Sequence, residues 1–199
     1  MGAIVALKAD GKVYLATNRM KKRLDFYWRT SSEFNFKIQK LKGGVLVGAE
    51  GPLIEVQKLY LNESWFTPPK GTPFDKKFIA TSIIPKYIEA LKEYELDAED
   101  EDEDKYPHSH SQFIIVKGDD IFVVNSDYGV FSAKDFVFIS AEKERNFYKK
   151  LISSLDKSDP KGFFEELFKK SAEVLSDAVE EYVLIDSEGM EFSLLGGTK

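Results

Sequence analysis

Ile4-Val5-Ala6-Leu7-Lys8-Ala9-Asp10-Gly11-Lys12-Val13-Tyr14-Leu15-Ala16 is the stretch from which the fold is read. Two β-prone runs flank Asp-Gly, a dipeptide that takes the positive φ angles of a two-residue hairpin turn, so the chain is expected to open with an antiparallel hairpin. Further along, Phe34, Phe36 and Ile38 alternate with Asn35, Lys37 and Gln39, the period-2 pattern of a strand over Phe34–Leu41. Gly43-Gly44 turns the chain into Val45-Leu46-Val47, which is expected to end at Gly48-Ala49-Glu50-Gly51. Between the two hairpins, Asn18 to Ser32 is basic and aromatic without periodicity and reads as a loop or irregular strand.

Two helices follow. Pro52 suits a first helical turn, and Leu53, Val56, Leu59 and Tyr60 recur at helical spacing. After Pro68-Pro69 and Pro73, a second stripe runs through Phe78, Ile79, Ile83, Tyr87, Ile88 and Leu91, with Pro85 inside it as a kink. Strands then return as Phe113–Val116, Ile121–Val124, Val130-Phe131 and Asp135–Ile139. A helix carrying Phe147, Leu151, Ile152 and Leu155 precedes one that starts at Asp159-Pro160 and carries Phe163, Phe164, Leu167, Phe168, Val174, Leu175, Ala178 and Val179. Tyr182–Asp186 and Met190–Leu195 make a last hairpin. Hairpins dominate, so the sheets are expected to be antiparallel. Two such sheets need each other to bury one face, and the helix pairs cover the outer faces: an α+β, four-layer α-β-β-α sandwich over residues 1–199 as a single domain.

Composition narrows the function classes. The 199 residues carry a net charge of −6, which argues against a phosphate-contacting nucleic-acid binder. No apolar run approaches the roughly 18 residues of a membrane span. Met1-Gly2-Ala3-Ile4 lacks the basic and apolar regions of a signal peptide, and cysteine is absent, which fits a reducing, cytoplasmic compartment. Asp97–Asp104 holds seven acids in eight positions and reads as a solvated insertion near 96–111. His108-Ser109-His110 beside it invites a metal reading, but the run lacks the glycine and closing glutamate of a calcium loop, so no metal and no cofactor are expected. Phe26-Tyr27-Trp28-Arg29 and Trp65-Phe66-Thr67-Pro68-Pro69 read as core aromatics or as contacts between subunits.

The element order and several motifs resemble the proteasome β-subunit family and the bacterial peptidase of the ATP-dependent two-component protease, both N-terminal-nucleophile (Ntn) hydrolases. The likeness runs through the opening hairpin, through Lys37-Ile38-Gln39-Lys40-Leu41 with Val45 to Gly51, and through Asp135-Phe136-Val137-Phe138-Ile139-Ser140. In that family an N-terminal threonine attacks a peptide carbonyl with its own amine as base, a lysine fixed by an acid lowers its pKa, and a glycine-turn N–H holds the oxyanion. The resemblance places Gly2 at the nucleophile, Lys37 at the lysine, Gly48 at the oxyanion glycine and Asn18 at the acid. Gly2 has no side chain and Asn18 no charge, and Ser140-Ala141-Glu142 lacks both glycines of the family's Gly-Ser-Gly turn.

The implied protein is a non-catalytic relative that forms homo-oligomers or binds a protein or peptide. The alternative is an active peptidase with a different mature N-terminus or another nucleophile, such as Thr17 or Ser140. A third reading is an unrelated α/β module with a chance likeness.

Overall fold

The computed structural model describes residues 3–20, 37–95, 109–174, 179–187 and 191–195. The opening hairpin forms from β1 (Ala3–Ala9) and β2 (Lys12–Met20), with Asp10 at φ 51° and Gly11 at φ 73°, the two positive angles its tight turn requires. The next hairpin is β3 (Ile38–Leu41) with β4 (Val45–Glu50) across a turn in which Gly43 and Gly44 both have positive φ. Helices α1 (Leu53–Leu61), α2 (Lys76–Phe78) and α3 (Ile84–Glu95) lead to strands β5 (Gln112–Lys117), β6 (Asp120–Val124), β7 (Val130–Ala133) and β8 (Phe136–Ser140). Helices α4 (Glu142–Ser153) and α5 (Pro160–Val174) and strands β9 (Val179–Asp186) and β10 (Glu191–Leu195) complete the order.

All described pairings are antiparallel. They make two five-stranded sheets, β10-β9-β2-β1-β8 and β3-β4-β5-β6-β7. Strand alternation sorts their side chains into three apolar layers. Ile4, Ala6, Val13 and Leu15 of the first sheet meet Leu46, Ile114 and Val116 of the second. Ala3, Val5 and Ala16 face Tyr148, Phe164 and Leu167 of α4 and α5, while Val47, Phe113 and Ile115 face Leu59, Ile83 and Tyr87 on the other outer side. Residues 3–6 are all 0% exposed, because β1 is covered on both faces. This is the expected four-layer α-β-β-α sandwich.

Several local readings change. Of the two readings for the segment from Asn18, the irregular strand holds at its start: Asn18 lies within β2, paired with Tyr182 of β9, and the register shifts between Arg19 and Met20. Strand β4 runs on through Gly48 and Ala49 to Glu50, because β5 continues to pair it as far as Gln112. Val179 belongs to β9, not to the preceding helix. Pro85 is accommodated without a break: a five-residue π turn, Ile79–Ile83, absorbs the missing amide between α2 and α3. Phe66 is buried and Trp65 packs against the same core, so that aromatic pair is packing. Phe26–Arg29, the acidic run 97–104, His108 and Gly2 lie outside the described residues. Among the described residues no helix is long and apolar enough to cross a membrane.

Gly48 faces the other sheet with no room for a side chain. A Cβ there would stand 2.6 Å from Ile4 Cγ2 and 3.5 Å from Leu15 Cδ2. Ile4 is β-branched and wholly buried, so it cannot swing aside. Gly48→Ala is therefore expected to cost about 1–3 kcal/mol by overpacking, read as a lower urea midpoint at unchanged slope.

Candidate functional site

The sequence-selected residues gather around the start of β1. Thr17 donates its hydroxyl to the Ala3 carbonyl at 3.1 Å, which fixes the point where β1 begins. Ser140, the last residue of β8, pairs with Ala3 from the opposite side. Lys37 sits one residue before β3. Its carbonyl accepts from Ala49 N–H at 2.8 Å and from the Tyr60 hydroxyl at 2.9 Å, so the backbone is held from β4 and from α1 together. Burial raises the Tyr60 phenol well above its ordinary value, which keeps it a neutral donor.

The partner of Lys37 is Glu50. The two charged atoms meet at 2.9 Å, with side chains 24% and 22% exposed. They lie off the line of a well-directed hydrogen bond, and among the described residues neither atom has another hydrogen-bond partner. The pair follows from register. Leu41 opposes Val45 and Ile38 opposes Gly48, so Lys37 comes level with Ala49 and its side chain reaches the next residue of β4. Counting back from the Gly43-Gly44 turn would have found Glu50 in the sequence. Asn18, which the resemblance matches to the family's acid, lies on β2 and is 1% exposed.

Two further corrections concern the glycines. Gly48 is not in a turn; it lies in a strand paired on both sides, so its amide belongs to the ladder and its missing side chain serves sheet packing. The turn is at Gly51, with φ 156°, where a Cβ would stand 2.1 Å from Ser111 Oγ. Ser111 is held there by a buried carboxylate. Glu55 of α1 accepts from Ser109 Oγ at 3.0 Å, from His110 N–H at 3.1 Å and from the Tyr87 hydroxyl at 3.3 Å, while Ser109 Oγ accepts from Ser111 N–H at 3.1 Å. Of the histidine pair, the described member thus contributes its backbone, and its side chain is exposed. Among the described residues no group of three or more His, Cys, Asp or Glu side chains could hold a metal ion.

Helix α4 brings a third charge. Glu144 is 5% exposed, and its Oε2 has no hydrogen-bond partner among the described residues. Burial raises its carboxyl above the ordinary glutamate range and the Glu50 carboxylate raises it further, while Lys143 and Lys37 pull it down. One turn on, burial pushes the Tyr148 phenol up to about 12, with Ser171 opposing and Glu144 and Glu50 adding. The Glu144 carboxyl is thus close enough to feel both charges of the Lys37–Glu50 pair.

Beside it opens a cleft of about 520 Å³, walled by Glu50, Gly51, Ser109, Ser140, Glu142 and Arg145. A second cleft of about 360 Å³ shares Gln112, Ser126 and Arg145 with the first and extends along Val137–Ile139. Of the alternative nucleophiles, Thr17 is 0% exposed and Ser140 4%; the Ser140 hydroxyl donates to Ala141 O at 3.3 Å.

The raised Glu144 value carries a pH signature. A carboxyl that binds its proton more tightly in the folded state contributes stability fully present below the unfolded value, lost as pH rises through the folded one. Glu144→Gln is therefore expected to raise Tm near pH 8 by about 2–4 °C, the equivalent of about 1 kcal/mol for relief of a buried charge. The gain should vanish at roughly pH 4, below the ordinary glutamate value of about 4.3. Thermal melts across that range check it.

No family model and no curated protein matches this sequence. Solved structures do. BPH from Thiobacillus denitrificans, in complex with epoxomicin, superposes with a TM-score of 0.62 at 15% identity, covering 98% of this chain and 100% of that one. The Gly-1 mutant of Anbu from Hyphomicrobium sp. strain MC1 gives 0.66 at 12%, covering 100% and 90%. The eukaryotic HslV of Trypanosoma brucei gives 0.56 at 14%, covering 92% and 98%. With two antiparallel sheets between helix pairs, matched along nearly its whole described length, the chain has the fold of the proteasome β-subunit-like Ntn hydrolases.

Proposed function

We propose that this chain is a non-catalytic member of the proteasome-like group, acting as a self-assembling or peptide- and protein-binding subunit. The observation that carries the reading is Gly2, which at the matched nucleophile position offers no side-chain atom to activate. Lys37, held by Glu50 at 2.9 Å, keeps the lysine–acid pairing of the family without a hydroxyl or thiol at that position to serve. Asn18, in turn, supplies no charge from β2. What the site retains is suited to holding a chain: a tightly positioned Gly51 turn beside a cleft lined by hydroxyl, amide and guanidinium groups.

The runner-up is an active peptidase using Ser140, which lines the cleft. It would need a base, and the Ser140 hydroxyl is turned to a backbone carbonyl. Removal of a nucleophile costs on the order of 10⁶ in rate where it acts as part of a unit, so the two readings separate cleanly.

Native mass spectrometry of the full chain after incubation with epoxomicin tests both parts at once. The expected result is an assembly of 22.7 kDa chains without adduct. A covalent adduct would establish an active nucleophile and contradict the non-catalytic reading. A purely monomeric spectrum at micromolar concentration would remove the self-assembly.

A further inference from the structure

Among the described residues, strand β8 is bonded on one side only, as the last strand of its sheet. Lys8 N–H donates to the Asp135 carbonyl at 2.7 Å, and Val137 and Ile139 oppose Ala6 and Ile4. In an antiparallel ladder successive residues direct both backbone groups alternately toward and away from the partner strand. With Asp135 bonded to β1, the alternation turns Val137 and Ile139 toward β1. It sends the N–H and C=O groups of Phe136, Phe138 and Ser140 to the open edge. The described residues supply those groups with no partner.

This edge borders the 360 Å³ cleft, whose other wall is the end of β6 and the turn after it. The lining is mainly polar, from Gln112, Asn125, Ser126, Asp127 and Arg145, with a smaller apolar part from Val123, Val137 and Ile139. Gln112, Ser126 and Arg145 also border the larger cleft at Gly51, so the two form one trough that ends beside Lys37 and Glu50.

We propose that β8 docks an extended peptide segment, which joins the first sheet as a sixth strand. Three features select this occupant. Donors and acceptors that alternate at strand spacing are matched by another extended backbone, whereas a helix has already used its own. A lining that is polar with an apolar strip suits the two alternating side-chain faces of such a strand. Asp127 and Glu142 at the rim, with a net charge of −6, oppose a nucleic acid. Proteins ordinarily cover or blunt an open edge of this kind, since it templates further strands. The inference rests on the peptide-binding reading above and specifies where and how the peptide lies.

The test uses the ¹⁵N-labelled full chain and an acetylated, amidated probe peptide, Lys-Val-Thr-Val-Thr-Val-Lys. Two further versions carry backbone N-methyl groups, on all the valines or on all the threonines. Expected are amide shifts at Phe136, Phe138 and Ser140 with the parent peptide. One methylated version should lose at least about tenfold in affinity while the other stays within about twofold, because only alternate N–H groups face β8. If the parent shifts Gln112 and Arg145 but both methylated versions bind as it does, strand pairing is refuted and peptide binding stands. If no peptide produces shifts at millimolar concentration, both readings fall.

Discussion

Strand β1 is buried on both faces, and most of the molecule follows from that constraint. Ala3, Val5 and Leu7 must meet one layer while Ile4 and Ala6 meet another, so the chain has to supply a helix pair on one side and a second sheet on the other. Small residues on β1 let the layers approach. Gly48 on β4 completes the fit from the facing sheet, leaving room for Ile4 where a side chain would collide. A strand so enclosed delivers its first residue to one fixed place, between Thr17, Ser140 and the mouth of the cleft.

That place is chemically self-contained. The cation nearest in the fold's logic, Lys37, is held by its backbone through Ala49 and Tyr60 and by its side chain through Glu50. Glu144, on α4, lies in an environment that disfavours its charge. A second buried carboxylate, Glu55, spends its acceptors on Ser109, His110 and Tyr87, and through them secures the segment that packs on Gly51. Ser111 Oγ and Glu144 Oε2, by contrast, have no hydrogen-bond partner among the described residues, and neither do the outward backbone groups along the edge of β8.

The architecture was legible because hairpin turns announce themselves. Asp10-Gly11, Gly43-Gly44 and Gly118 each mark a turn with positive φ, and apolar alternation between them sets which face is inside. The helices were legible from their stripes, even across Pro85, where a π turn did what a kink was expected to do. The site was harder to read. Lys37 is a polar residue at the head of a strand, but its partner depends on register, which composition does not fix. The resemblance matches Gly48 to the oxyanion glycine, whereas the positive-φ turn lies three residues on, at Gly51. Glu144 and Glu55 carry no local signal at all; their burial is a product of tertiary packing on helices whose exposed faces hold many similar acids.

The account turns on whether Lys37 and Glu50 belong to each other. A double-mutant cycle with Lys37→Met and Glu50→Gln, followed by urea unfolding, measures this directly. Each single change is expected to cost about 1–3 kcal/mol by leaving a half-buried charge without its counterion, and the double change less than the sum, with a coupling of about 1–2 kcal/mol. Strictly additive losses would show that Lys37 and Glu50 do not interact and that Lys37 directs its charge elsewhere.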